Sequence, residues 1–382
     1  MRIIIAGDLV PTKNNELLFK KSEIVSNLDN KLKKIWFDSD YRIFNLECVL
    51  GNLEILKPIK KHGPNLIASL ETINGIKDLK PSLVLLANNH ILDFGVKGLN
   101  STLEILKFHN IKYTGIINNK LEKNKFVFFE KDGIKVAIYN LCENEFSVAG
   151  KNKKGANGFS YYKNICEIQE LKETVDYVIV IFHGGKEFYR YPSPNQRDIS
   201  HSFIDFGADL IIYQHSHCIG CEEVYKNKKV IYGQGNFVFC TGDDDYWNTE
   251  LILQVDISNE NIDITYHPVQ KKDNLIYYSD DKSIIENYFK RSSQIKEEKF
   301  IENEYNKFSL NYLNNYLYNL NGKNIINRLM NKLRIKKYFI KKYNLKSLLA
   351  IQNIIECEAH RELLINGLKM REKEIVGDED ED

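Results

Sequence analysis

The sequence predicts a layered α/β domain followed by a helical C-terminal region. Three observations carry that prediction. Up to about residue 270, short runs rich in Ile, Val, Phe and Tyr alternate with amphipathic stretches. Near the end of that part, strand-like runs follow one another with no helix between them. From about residue 280 the composition turns to Asn, Lys, Tyr, Leu and Ile, and apolar residues recur at helical spacing.

Taken in order, the expected strands are Arg2–Ala6, Arg42–Leu46, Ser82–Ala87, Lys125–Glu130, Lys135–Asn140, Tyr177–Phe182, Asp209–Tyr213 and Lys229–Tyr232. Most of them end in Gly, Asn, Asp or His. Val96–Phe108, with Leu99, Leu103 and Leu106 on one side, and Gln196–Phe206 read as helices between them. Phe237–Cys240, Glu250–Asp256 and Asp263–His267 read as antiparallel strands closing a sheet. Ile325–Leu333 and Leu345–Leu368 carry the helical pattern of the C-terminal region, and Gly377–Asp382 is an acidic tail. The expected division is residues 1–275, 276–376 and 377–382.

Composition narrows the function. With 53 basic and 52 acidic side chains the net charge is +1, which offers no global attraction for nucleic acid or an anionic membrane. No apolar run approaches the roughly 18–20 residues that cross a bilayer, and the N-terminus lacks the pattern of a signal peptide, so a cytoplasmic location without a membrane span is expected. Seven scattered cysteines suit reduced thiols rather than a disulfide framework. Cys218-x-x-Cys221 is one such pair without a second, and reads as coincidental free thiols.

The chemistry is concentrated where predicted strands end. Asp8 follows the first strand, Glu47 the second and Asn89-His90 the third, while His183 and His215-Ser216-His217 follow two later ones. In α/β architectures such ends aim side chains into a common crevice. Singly, Asp8 reads as a capping or turn residue, Glu47 as an outward strand position, and Asn89, His90 and His183 as loop residues. His215 and His217, at alternate positions, are expected to point to one side. Together the set has the ligand chemistry of Mn, Fe or Zn rather than Ca or Mg. Asp93 reads as a cap or brace of the helix beginning near Val96. Lys57-Pro-Ile-Lys-Lys-His62 reads as a solvated basic loop.

The series Gly7-Asp8, Asn45-Leu46-Glu47, Ala87-Asn88-Asn89-His90-x-x-Asp93-x-Gly95 and His183-Gly184-Gly185-x-Glu187 resembles the CapA family. So do Ile204-Asp205-x-Gly207-Ala208-Asp209, His215-Ser216-His217 and Tyr232-Gly233-Gln234-Gly235-Asn236-Phe237. That family comprises poly-gamma-glutamate and capsule biosynthesis proteins and lies within the calcineurin-like metallophosphoesterase superfamily. The resemblance implies a metallophosphatase-like four-layer α/β/β/α sandwich with a dinuclear metal centre at one edge, and a helical C-terminal extension. Carried across by position, Asp8, Glu47 and His217 hold a first metal, and Glu47, Asn89, His183 and His215 a second. The metals are expected to be Mn, with Fe or Zn as alternatives. The superfamily's first-motif histidine is Val10 here, so the first site is expected to be the weaker. The implied reaction is attack of metal-activated water on a phosphoester or amide, with His90 as acid and Glu187 as a proton acceptor, a ligand-orienting residue or a contact for a substrate amine. The implied substrate is a small molecule or polymer precursor. The alternative is a non-catalytic, metal-binding assembly factor whose partner is a polymer-synthesis protein.

Overall fold

The computed structural model describes residues 1–118, 123–240, 244, 246–272, 274–320 and 343–376. The expected helix Ile325–Leu333 and the tail Gly377–Asp382 lie outside the described residues. Two compact units divide the chain, Met1–Asn303 and Glu304–Asp382.

Thirteen strands of the first unit concern the site: β1 (Arg2–Leu9), β2 (Tyr41–Leu46), β3 (Leu83–Leu85), β4 (Tyr113–Thr114), β5 (Phe126–Lys131), β6 (Ile134–Cys142), β7 (Tyr177–His183), β8 (Leu210–Gln214), β9 (Glu222–Tyr225), β10 (Lys228–Tyr232), β11 (Thr249–Ile257), β12 (Ile262–Lys272) and β13 (Leu275–Tyr278). They form a seven-stranded sheet in the order β13-β12-β11-β1-β2-β3-β4 and a six-stranded sheet in the order β9-β10-β8-β7-β6-β5. Each contains a parallel block: β1 to β4, which forms one side of the first sheet, and β6, β7, β8 and β10 in the middle of the second. The antiparallel members of the first sheet, β11 to β13, close it beside β1.

Alternation along the strands builds the layers. Ile3, Ile5 and Ile43 of the first sheet join Val136, Ile138, Ile179, Ile181 and Ile212 of the second in one buried cluster between the sheets. Their neighbours in sequence turn the other way. Ile4, Phe44 and Val84 pack with Leu32 and Trp36 of α1 (Asn30–Phe37) and Leu99 and Leu103 of α2 (Gly95–Phe108). Val178, Val180 and Ile211 pack with Ile165 and Ile168 of α3 (Tyr161–Lys172) and Ile199 and Phe203 of α4 (Pro194–Asp205). The result is the helix–sheet–sheet–helix sandwich expected. α4 begins on a clear signal: Ser193 caps it, its hydroxyl accepting from the Gln196 amide at 3.1 Å, with Pro194 in the first turn.

Several expectations need correction. Phe237–Cys240 is not a strand; it runs irregularly along β1, bonded through Phe237 N to Asp8 O and Val10 N to Val238 O. Helix α5 (Lys282–Gln294) belongs to the first unit, where Tyr288 is buried and donates to Glu222 of β9 at 3.0 Å. In the second unit Leu345–Leu368 is helical as expected, though not as a continuous run. It breaks at Cys357 into α7 (Leu345–Glu356) and α8 (Glu358–Val376), which follow α6 (Phe300–Asn319) in the chain. Asn344 caps α7 by accepting from the Ser347 amide. No helix among the described residues is long and apolar enough to cross a membrane.

Candidate metal centre

Parallel strands of both sheets end at the site, and local backbone devices fix each end. The register of β1 on β2 shifts between Ile5 and Asp8, which brings Asp8 into a bridge with Asn236. Gly7 makes that approach possible, because a Cβ there would lie 2.0 Å from the Gly235 carbonyl oxygen. Glu47 stands just beyond β2, its amide donating to Leu9 O at 3.1 Å. Asn88 orders the next turn by donating to Asn45 Oδ1 (3.1 Å) and Leu46 O (2.8 Å) and accepting from the His90 amide (3.1 Å). From the second sheet, His183 is the last residue of β7 and His215 follows the end of β8. The alternate-strand expectation for His215 and His217 does not hold. Both lie in the turn after β8 with φ of +92° and +54°, a left-handed backbone that non-glycine residues adopt at a cost.

The predicted donors converge. His183 Nε2 lies 3.0 Å from Asn89 Oδ1, 3.1 Å from His215 Nδ1 and 3.2 Å from Glu47 Oε1. His217 Nδ1 is 3.8 Å from Asp8 Oδ2 and 2.8 Å from Asn236 Oδ1. One donor atom each from Glu47, His183 and His215, and likewise from Asp8, Glu47 and His217, lies within 4.8 Å of the others in its set. Glu47 is common to both. Glu187, half-buried, forms a further such group with His215 and His217.

This arrangement fits a divalent transition metal. Neither oxygen of the fully buried Glu47 accepts a well-formed hydrogen bond, an expensive state for a carboxylate unless a cation satisfies it. A single proton on His183 Nε2 satisfies at most one of the three atoms around it. Ligands about 2.0–2.2 Å from a shared ion stand about 3 Å or more apart, which is the spacing observed. Without an ion the charges balance one another. Burial pushes the Glu47 carboxyl up, but His217 and His183 outweigh it and hold it well below the usual range. Burial pulls the His183 imidazole down, but Glu47 and Asp8 prevail and push it up to about 10.

Beside the donors, His90 Nε2 lies 4.0 Å from Glu47 Oε1, and its Nδ1 lies 2.6 Å from Asp93 Oδ2. Asp93 is therefore not a helix cap: α2 is preceded by Phe94 with no side-chain cap, and the buried Asp93 carboxylate braces His90 instead. The basic loop is not wholly solvated either, since Lys61 turns inward to pair with Asp93. Sequence reasoning also missed Glu143, whose Oε1 lies 3.4 Å from His215 Nε2 while Oε2 accepts from the Gly185 amide at 3.1 Å. It directly follows the last residue of β6, a parallel strand of the second sheet. Asn236 meets His217 from the irregular segment after Gly235. Cys218 and Cys221 are buried free thiols, and burial raises both.

Residues 2–241 match the family model described as Bacterial capsule synthesis protein PGA_cap. The Capsule biosynthesis protein CapA of Bacillus anthracis is 32% identical over 212 residues, covering 52% of this chain and 52% of the relative. The PGA biosynthesis protein CapA of Bacillus subtilis is 29% identical over 224 residues, covering 55% and 56%. The chain thus spans about half the length of the curated relatives it matches. Among solved structures, one titled a novel phosphatase from Mycoplasma pneumoniae aligns over 76% of this chain and 98% of its own, at 16% identity and a TM-score of 0.44. The NAD nucleotidase of Haemophilus influenzae aligns over 70% and 55%, at 17% identity and a TM-score of 0.43.

Proposed function

The chain belongs to the family of bacterial capsule synthesis proteins, and from that premise we propose that it is a metal-dependent hydrolase serving the synthesis of a capsule, poly-gamma-glutamate or another surface polymer. The bond it cleaves is a phosphoester or an amide in a small-molecule or polymer-precursor substrate, and the compartment is the cytoplasm. The observation that supports this reading is the convergence of Asp8, Glu47, Asn89, His183, His215 and His217 around a carboxylate that no hydrogen bond satisfies.

Asp8, Glu47 and His217 would hold one ion, and Glu47, Asn89, His183 and His215 the other. When bound, such ions polarise a phosphoryl or carbonyl oxygen and lower the pKa of water toward neutrality. The chain's own residues do the rest. Asn45 donates to Asp8 Oδ1 at 2.7 Å, which orients that carboxylate. Glu143 steadies His215 from its far nitrogen, as outer carboxylates steady metal-binding imidazoles. Asn236 meets Nδ1 of His217 at 2.8 Å and so fixes the orientation of that ring beside Asp8. His90, braced at Nδ1, presents Nε2 beside Glu47, where it delivers a proton to a leaving group.

Elemental analysis of purified protein, followed by assays with a phosphomonoester, a phosphodiester and a gamma-glutamyl amide on Mn-loaded protein, tests the reading. Turnover that His183→Ala reduces to background supports it; turnover indifferent to that change defeats it. One observation favours a second reading, a non-catalytic assembly factor bound to a polymer-synthesis protein. Val10, where the superfamily has a histidine, is buried and holds Val238 through its backbone, leaving the first donor set with three side chains. Metal-dependent stabilisation with no turnover of any substrate class, and recovery of a synthase in pull-down, would favour that reading.

A further inference from the structure

Four basic residues crowd the stretch Lys57–His62, and three of them behave as such a run normally does. Lys57, Lys60 and His62 are exposed, whereas the Lys61 side chain is 3% exposed. Its ammonium makes a close ion pair with Asp93 Oδ1 and stands 3.4 Å from His90 Nδ1. The other Asp93 oxygen lies 2.6 Å from His90 Nδ1 and accepts from the Leu66 amide, also at 2.6 Å. The loop is further tied to the same residue through its backbone. Ile59 N donates to Asp93 O at 2.9 Å, and Asn65 Nδ2 reaches both Ile59 O (3.0 Å) and Asp93 O (2.9 Å).

A buried ion pair is weak evidence of a stabilising role, because an apolar pair of similar volume is often as stable or more so. What Lys61 supplies is direction. An ammonium has donors only, so it cannot take the Nδ1 proton of His90. By occupying Asp93 Oδ1 it leaves Oδ2 facing the imidazole. We propose that Lys61 is a positioning residue for His90, holding Asp93 so that His90 keeps its Nδ1–H on Asp93 Oδ2 and turns Nε2 into the crevice beside Glu47, the nitrogen that takes up a proton from solvent and passes it to the leaving group. This deepens the hydrolase reading and rests on it for the use made of His90. The placement of the proton itself rests on the contacts alone.

Nitrogen-15 NMR of the histidine side chains in the full chain reads that placement directly, with the His90 signals identified by their loss in His90→Gln. Wild type and Lys61→Arg are expected to show His90 as the Nδ1–H tautomer. Lys61→Met is expected to lose that single pattern and shift toward the Nε2–H form or an average of the two, with bound metal per chain unchanged. On a substrate that turns over, kcat falls about 10–100-fold with KM unchanged. A single Nδ1–H pattern retained in Lys61→Met overturns the proposal, and so does loss of metal in step with the tautomer, which would mark a general structural role. If Lys61→Met does not fold, Lys61→Gln is judged by the same two criteria. Wild-type protein free of metal and of turnover would defeat the hydrolase reading while leaving the tautomer comparison to stand or fall by itself.

Discussion

Glu47 is where the electrostatics of the site are decided, since both donor sets share it and neither of its oxygens is satisfied within the protein. Glu47→Gln keeps the shape but removes the charge both ions need, so metal per chain measured by elemental analysis is expected to fall to near zero. His183 gives a pH prediction. Burial opposes its charge, but Glu47 and Asp8 raise it from 6.5 to about 10 in the metal-free protein. A group raised in the folded state stabilises fully below its unfolded value and loses that contribution as pH climbs through the folded one. Metal-free protein should therefore lose stability between pH 6.5 and about 10, read as a falling urea midpoint in chelator, and His183→Asn should flatten the decline. Because an ion displaces that proton, its uptake should release protons at neutral pH, measurable by calorimetry in buffers of different ionisation enthalpy. At this scale the strand-end donors were legible because their residue types and their positions agree. Lys61 was not, because an inward lysine and its solvated neighbours have the same local sequence character. The brace on Asp93 comes from a residue 32 positions away, which no local pattern encodes.

Among the elements, β1 and the segment after β10 depend on each other. Phe237 N bonds Asp8 O and Val10 N bonds Val238 O, with Gly7 lying against the Gly235 carbonyl. Gly7→Ala should cost about 1–3 kcal/mol through that overlap, read by urea unfolding. It should also weaken metal retention, because Asp8 is the next residue. An unchanged midpoint would mean that the segment yields without strain. Strands with unbroken Ile and Val runs were legible, since burial on both faces dictates such composition. Phe237–Cys240 has the same composition and no sheet partner of its own. Its apolar side chains are buried by packing in the core cluster that includes Trp36, which stacks on Phe237 at 4.9 Å. Apolar content predicted burial there and missed the form. The edge strands β9 and β13 were missed because each is only four residues long, and β9 opens on two glutamates.

For the whole molecule, the sandwich has its own core clusters within Met1–Asn303, and every predicted site residue lies there. A fragment of residues 1–303 is expected to fold cooperatively and to hold metal as the full chain does, checked by circular dichroism melting and elemental analysis. Loss of metal in that fragment would show that Glu304–Asp382 supports the site. The site also has an arrangement that bears on the molecule as a whole. Asp8, Glu47 and Asn89 come from the first sheet, and His183, His215 and His217 from the second. Any ion seated among them fastens one half of the sandwich to the other, so occupancy and cohesion along that rim become a single quantity. The unfolding temperature then serves as a gauge of free metal, climbing with the logarithm of its concentration once the centre is saturated. Starvation for the ion would undo that clasp and lower the unfolding temperature with it.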